Sequence, residues 1–324
     1  MIERTGMANQ STVLEFILMG FSDDCDVQRL HFVMFLFIYF LALTGNLLII
    51  FVVFLNHHLH TPMYFFLANL SLTDICLITT TVPKSMAVSL TDDKIITVPG
   101  CVAQVFLIVS STCSEVSLLT IMAYDRYIAI CHPLQYSLIL NWDASNQIAV
   151  TSWVSSLLYA SVQTVITFQL SFCGPNTIGQ FFCDIPQLQK ISCTDTKVNQ
   201  IVIWIIGFIV SSFCSGLVFA SYVYIISAVL KIQSVEGRCK AFSTCIPHLT
   251  VFSLFISTCL FSYMRPKSLS FPIIDLLSAV SYTIMPPVMN PIIYSLRNKN
   301  IQAALWKLTS KTSKQANKQT NNKS

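Results

Sequence analysis

Charge is scarce in this sequence. Asp, Glu, Lys and Arg make up 10% of its 324 residues, against 54% hydrophobic; a soluble domain usually carries about 25% charge. That is too little to coat a soluble globule of this length, so much of the outer surface needs an apolar surrounding. Other absences narrow the reading further. The twelve cysteines include no CxxC pair and are too scattered for a small disulfide scaffold. No HExxH, GxSxG or paired catalytic carboxylates stand out, which argues against a membrane enzyme. No internal repeat is visible, so a transporter built from duplicated halves lacks support. No cofactor and no nucleic-acid partner is expected. Residues 1–24 contain no isolated apolar core ending in small residues, so the first apolar run is expected to act as an uncleaved insertion signal.

What is present is a set of apolar runs. A helix needs about 20 apolar residues to cross a bilayer. Seven runs qualify: 30–55, 63–88, 101–127, 146–168, 198–228, 241–263 and 272–296. The expected fold is an all-α membrane protein, a bundle of seven spanning helices, because only helices satisfy their own backbone in lipid this way. Pro62, Pro83, Pro247, Pro286, Pro287 and Pro291 fall in or near the runs; packed membrane helices tolerate them as kinks.

Seven spans put the two ends on opposite sides, and the basic residues choose between them. With the C-terminus cytoplasmic, the inner side holds eleven basic residues against the acids Asp125, Asp143 and Glu236, and the outer side eight basic against ten acidic. The N-terminus is therefore expected outside. Residues 1–29 become an external segment, 30–296 the spanning domain, 297–308 a short juxtamembrane helix and 309–324 a polar tail without order. The juxtamembrane helix rests on the helical spacing of Ile301, Ala304, Leu305 and Leu308. Of three N-x-S/T sequons, only the one at Asn9 is placed outside. Those at Asn69 and Asn322 fall in a span and in the tail.

Polar residues inside the spans carry the functional argument. Asp74 and Glu115 lie near the bilayer midplane; Glu115 is roughly 15 Å above Asp125 at about 1.5 Å per residue. Such groups are costly and tend to be functional. With Asn46 and Asn290 they can hold a sodium ion, share a proton, or simply stitch helices together. Arg126 ends the third span beside Asp125, either ion-paired to it until a cytoplasmic partner arrives or as a headgroup anchor. Helical spacing puts Val105, Ile108, Val109 and Thr112 on one face of the third span. Cys101, Cys173, Cys183 and Cys193 can pair in three ways on the outer side.

Several motifs occur in order. Gly45-Asn46 lies in the first span and Leu59-His60-Thr61-Pro62-Met63-Tyr64-Phe65-Phe66-Leu67 follows it. Met122-Ala123-Tyr124-Asp125-Arg126-Tyr127 ends the third. Lys240-Ala241-Phe242-Ser243-Thr244-Cys245, continuing to His248, opens the sixth, and Pro287-Val288-Met289-Asn290-Pro291-Ile292-Ile293-Tyr294 ends the seventh. From about residue 9 to 308 the chain resembles the olfactory receptor family of rhodopsin-like G-protein-coupled receptors, in its class II branch.

That resemblance implies a receptor for a small volatile odorant, coupled to the olfactory-type stimulatory G protein, raising cyclic AMP at the plasma membrane. It implies the pairs Cys101–Cys183 and Cys173–Cys193. It adds Ile206, Val210, Cys259, Leu260, Tyr263 and Thr283 to the third-span face as ligand contacts. It implies an inner switch of Asp125, Arg126, Tyr127, Tyr222, Lys240, His248, Asn290, Pro291 and Tyr294, and favours the sodium reading of the polar core. None of the ligand-site residues is charged, so a neutral, largely apolar ligand is expected. One departure stands out: Leu254-Phe255 is followed by Ile256-Ser257 where the family usually has Tyr-Gly.

Overall fold

The computed structural model describes residues 14–20, 24–91, 93–172, 175–193, 197–263 and 272–306. The elements run β1 (Glu15–Leu18), α1 (Cys25–Leu55), α2 (Pro62–Thr91), β2 (Ile95–Thr97), α3 (Val98–Cys131), α4 (Tyr136–Ile139), α5 (Trp142–Phe168), β3 (Thr177–Ile178), α6 (Ile185–Lys190), α7 (Lys197–Leu230), α8 (Val235–Tyr263), α9 (Pro272–Thr283) and α10 (Met285–Arg297). Helix resumes over 299–306. Six helices (α1, α2, α3, α5, α7 and α8) are long and apolar enough to cross a bilayer, and α9 with α10 forms a seventh span bent by 42°.

Each span begins or ends within a few residues of its sequence-based expectation, and at the first a cap explains the difference. The first helix starts at Cys25 because the Asp24 carboxylate accepts the backbone N–H groups of Asp26 and Val27. The expected single run 272–296 is corrected to two helices that break at Ile284. Pro286 and Pro287 lack the N–H groups that would bond the carbonyls of Tyr282 and Thr283, and their rings crowd those carbonyls. One freed carbonyl nearby is put to use: Asn46 Nδ2 donates to the Pro287 oxygen at 2.9 Å.

The third helix is the hub, packing against α2, α5, α7 and α8. Its contact with α5 is close because the buried face of α5 carries Ala149, Ser152, Ser156 and Ala160; small residues three and four apart let membrane helices approach tightly. A second close approach joins the first and seventh spans. A Cβ on Gly45 would stand 3.0 Å from two ring carbons of Pro291, so this position admits no side chain without moving α10.

The end that carries the N-terminal strand, outer on the expectation from the basic residues, is closed by a three-stranded sheet. The N-terminal strand β1 is in the middle, antiparallel to β2 (Phe16↔Ile96) and parallel to β3 (Ile17↔Thr177). Phe16 and Leu18 point down and are fully buried, against Cys101, Cys183, Val105 and Leu188. At the inner end, Asn298 caps the helix over 299–306: its Oδ1 accepts the backbone N–H groups of Asn300 and Ile301 and the Tyr64 hydroxyl. Ile301 and Ala304 are buried beside Tyr64 and Leu67. Lys307 and Leu308 of the expected juxtamembrane helix lie outside the described residues.

Candidate functional site

The second outer loop roofs the bundle. Cys183 is disulfide-bonded to Cys101, with sulfurs 2.03 Å apart. Its backbone N–H also donates to Gln104 Oε1 at 2.8 Å, while Gln104 Nε2 donates to the Thr80 carbonyl. This buried glutamine thus ties loop, α2 and α3 together. The two residues before the disulfide, Phe181 and Phe182, are buried and edge-to-face at 4.8 Å. They cluster with Ile108, Cys259, Tyr282 and Phe35. Cys193 is also disulfide-bonded; Cys173, its expected partner, lies outside the described residues.

Two of the expected ligand residues, Ile108 and Cys259, thus stand beneath the aromatic roof. Val105, about one turn higher, and Val109, next to Ile108 along the helix, pack with Phe168, Ile185 and Leu188. Thr283 is buried, but its hydroxyl donates to the Ala279 carbonyl at 2.7 Å. Thr112 is half-buried. Ile206, Val210 and Leu260, also expected at the ligand, are 36%, 46% and 45% exposed. The inward line of α7 runs through Gly207, Ser211, Cys214, Ser215 and Val218, so Ile206 and Val210 point about 100° away from it, toward the lipid. A helix that is apolar on every face gives periodicity nothing to read. The side chain of Tyr263 is outside what the structure describes.

Asp184, next to Cys183 and outside the spans, is 6% exposed. Burial pushes its carboxyl up to about 6, moderated by hydrogen bonds from the Tyr282 hydroxyl and the Ile185 N–H and by the charge of Lys190. Lys190 in turn pairs with Asp275 of α9 at 3.1 Å. The folded chain therefore holds the Asp184 proton more tightly than an unfolded one. Its contribution is fully present below about pH 4, the ordinary carboxylate range, and is lost as pH rises through about 6. The scale is about 3 kcal/mol for a shift of about two units. Detergent-solubilised protein is expected to melt at lower temperature at pH 7 than at pH 5, with Asp184→Asn flattening that difference. An unchanged slope in the variant would assign the effect elsewhere.

Below the roof lies the polar core. Asn46, Asp74, Glu115 and Asn290 are all 2% exposed or less. One amide bridges two carboxylates: Asn290 Nδ2 donates to both oxygens of Asp74 at 3.1 and 3.0 Å and to Glu115 Oε1 at 3.2 Å. Asn46 Oδ1, Ser114 Oγ, Glu115 Oε2 and Asn290 Oδ1 are buried without a hydrogen-bond partner. The donor set is all oxygen, the ligand type that hard cations take.

The inner switch is arranged differently from its sequence reading. Asp125 does not ion-pair with Arg126; it accepts the Tyr136 hydroxyl at 2.7 Å, from the first turn of α4. The partnership holds the Tyr136 phenol above its usual range, through burial first and then the Asp125 charge. Consecutive helix residues point about 100° apart, which turns the Arg126 side chain away from its neighbour. Arg126 is 8% exposed and its Nε has no hydrogen-bond partner. Its charge acts on Asp125 and Tyr136 and also reaches Tyr222, Cys245, His248 and Tyr294. His248 bridges three helices. A carbonyl can only accept, so Nε2 donates to Leu119 of α3 at 2.8 Å, and Nδ1 meets the Tyr222 hydroxyl of α7 at 2.8 Å. The Tyr294 hydroxyl is buried and unpartnered. Tyr127 meets His132 at 3.1 Å. The Lys240 side chain is outside what the structure describes.

A seven-helix bundle with a disulfide-tied outer roof, a midplane carboxylate pair and a buried inner arginine has the architecture of the rhodopsin-like receptors. Squid rhodopsin superposes with a TM-score of 0.68 over 89% of this chain and 87% of its own, at 16% identity. Residues 35–312 match the family model described as olfactory receptor. Human olfactory receptor 14A16 is 50% identical over 93% of this chain and 97% of its own length. Human olfactory receptor 14C36 is 48% identical over the same shares. The chain belongs to the olfactory receptor family, whose members are signalling receptors and not enzymes.

Proposed function

We propose that the chain is an odorant receptor that couples agonist binding in the outer half of the bundle to the olfactory-type stimulatory G protein, raising cyclic AMP. The supporting observation is that one helix carries both ends of the device. The third helix presents Val105 and Ile108 to the roofed cluster and Arg126 to the Tyr222–His248 node. An agonist need only prefer the arrangement in which the inner face opens. Leu134, 94% exposed between α3 and α4, offers an apolar knob beside that face.

The ligand is a neutral, largely apolar small molecule. The expected contact residues carry no charge, and the nearest carboxyl, Asp184, is already engaged by Tyr282 and Ile185, so an unpaired ammonium buried there would be strongly penalised. The polar core holds one sodium ion or one proton between Asp74 and Glu115 and releases it on activation. Transfected cells exposed to a panel of volatile compounds, with cyclic AMP as readout, test the whole reading. A strict preference for permanent cations would overturn the ligand assignment.

The N-terminus faces outside and the C-terminus the cytoplasm, at the plasma membrane, with 1–29 external and 309–324 an inner tail. Glycosidase treatment is expected to shift the electrophoretic mobility of wild-type protein and to leave Asn9→Gln unchanged. A glycan persisting in the variant would reverse the topology.

A further inference from the structure

Polar side chains buried in a spanning helix usually find a partner on their own backbone. Among the described residues, the buried threonines Thr73, Thr81, Thr120, Thr167 and Thr283 donate to the carbonyl four residues earlier, and Thr258 to the one three earlier. Thr164 is the exception: it is 6% exposed and its Oγ1 has no partner. Its neighbour Gln163 is 2% exposed, and its Oε1 is also unpartnered. The other buried glutamine of the spans, Gln104, has both ends of its amide engaged. A buried polar atom left unmet costs about 1–3 kcal/mol, so two adjacent ones on α5 call for an occupant.

Their location says which. Thr164 lies one turn below Phe168 on the same side of α5, and Phe168 packs with Val105 and Val109. The Gln163 amide meets the Tyr159 hydroxyl, which is within electrostatic reach of Cys113 of α3 and lies 3.9 Å from where a Cβ on Gly207 of α7 would stand. Through Tyr159, Gln163 looks into the junction of α3, α5 and α7, and Thr164 stands about 100° round α5 from it, on the side of Phe168. The hydroxyl of Thr283, expected to orient a ligand, is already bonded to Ala279.

We propose that Gln163 and Thr164 are the polar end of the odorant site and that they receive a hydroxyl group. With its NH2 turned to Tyr159, Gln163 presents an oxygen that only accepts; Thr164 Oγ1 both donates and accepts. An alcohol answers both, donating to Gln163 and accepting from Thr164. A ketone or ether of the same skeleton has no hydrogen for Gln163. The site therefore selects alcohols, and α5 joins α3 in setting specificity. This inference rests on the odorant-receptor reading.

The test uses full-length receptor in cells and a panel of six- to ten-carbon alcohols with their matched ketones and methyl ethers, read by cyclic AMP and normalised to surface expression. Wild type is expected to respond to alcohols at the lowest concentrations. Gln163→Leu is expected to raise the EC50 of an alcohol about tenfold, the equivalent of about 1.4 kcal/mol, while its ether shifts little. The isosteric Thr164→Val should weaken alcohol and ketone alike, and it keeps the question open to measurement if Gln163→Leu fails to reach the surface. Equal shifts for alcohol and ether in Gln163→Leu, or a wild-type preference for ethers, would overturn the inference and leave the receptor reading standing. Silence of wild type to the whole panel would sink the receptor reading first, and this one with it.

Discussion

Arg126→Gln is expected to abolish agonist-driven cyclic AMP while leaving surface expression near wild type. The guanidinium is buried at the inner end of α3, its charge reaching Tyr222, His248 and Tyr294, so it holds no lipid headgroup. Lysine keeps the charge but not the planar fork, and Arg126→Lys is expected to restore only part of the response. The restraint on this end is the Tyr136–Asp125 hydrogen bond, which ties α4 to α3. Tyr136→Phe and Asp125→Asn both cut it and are expected to raise basal signalling. The balance moved is a few kcal/mol at most, the scale of minor states. Basal and stimulated cyclic AMP, each normalised to surface receptor, separate these outcomes. Wild-type signalling by Arg126→Gln would remove the inner switch from the mechanism.

Loss of either roof cysteine is expected to be as severe, but at the level of folding. Cys101 and Cys183 are fully buried among Phe16, Val105 and Leu188, and their bond fixes the loop that carries Phe181, Phe182 and Asp184. Removing a native disulfide costs about 2–5 kcal/mol in small secreted domains. Cys101→Ser and Cys183→Ser are expected to be retained inside the cell, and the double variant to be no worse than either single one. Flow cytometry of an external epitope measures this. Full surface display of Cys183→Ser would show that Gln104 alone suffices to hold the loop.

The spans were legible because lipid imposes a length and a composition that few other sequences meet, and the motifs of the inner face were legible because they are contiguous. What escaped was whatever depends on rotation or on distant pairing. Ile206 and Val210 lie one position off the inward line of α7, and an all-apolar helix offers no polar face to phase it. Tyr136 looks like a loop residue until α4 carries it under Asp125. The β1 strand, four residues of an otherwise polar N-terminal stretch, gains meaning only from β2 and β3. The break at Ile284 had a signal in Pro286-Pro287, readable from the missing N–H groups. Gln163 and Thr164 had one too, as polar residues in the outer half of an apolar run.

The central place of β1 has a consequence for biosynthesis. Phe16 pairs with Ile96 and Ile17 with Thr177, so the first segment made must wait for two later ones. Its second partner follows α5 in the sequence, so four spans precede it out of the ribosome. On the proposed topology, Phe16 and Leu18 stay uncovered in the oxidising lumen until then, beside a Cys101 that lacks Cys183. The roof closes in one late event that buries the strand and joins the cysteines, and a chain stalled before it displays apolar side chains and a free thiol together. The roof is thus the last part of the fold to form, and the strand made first is held open for it.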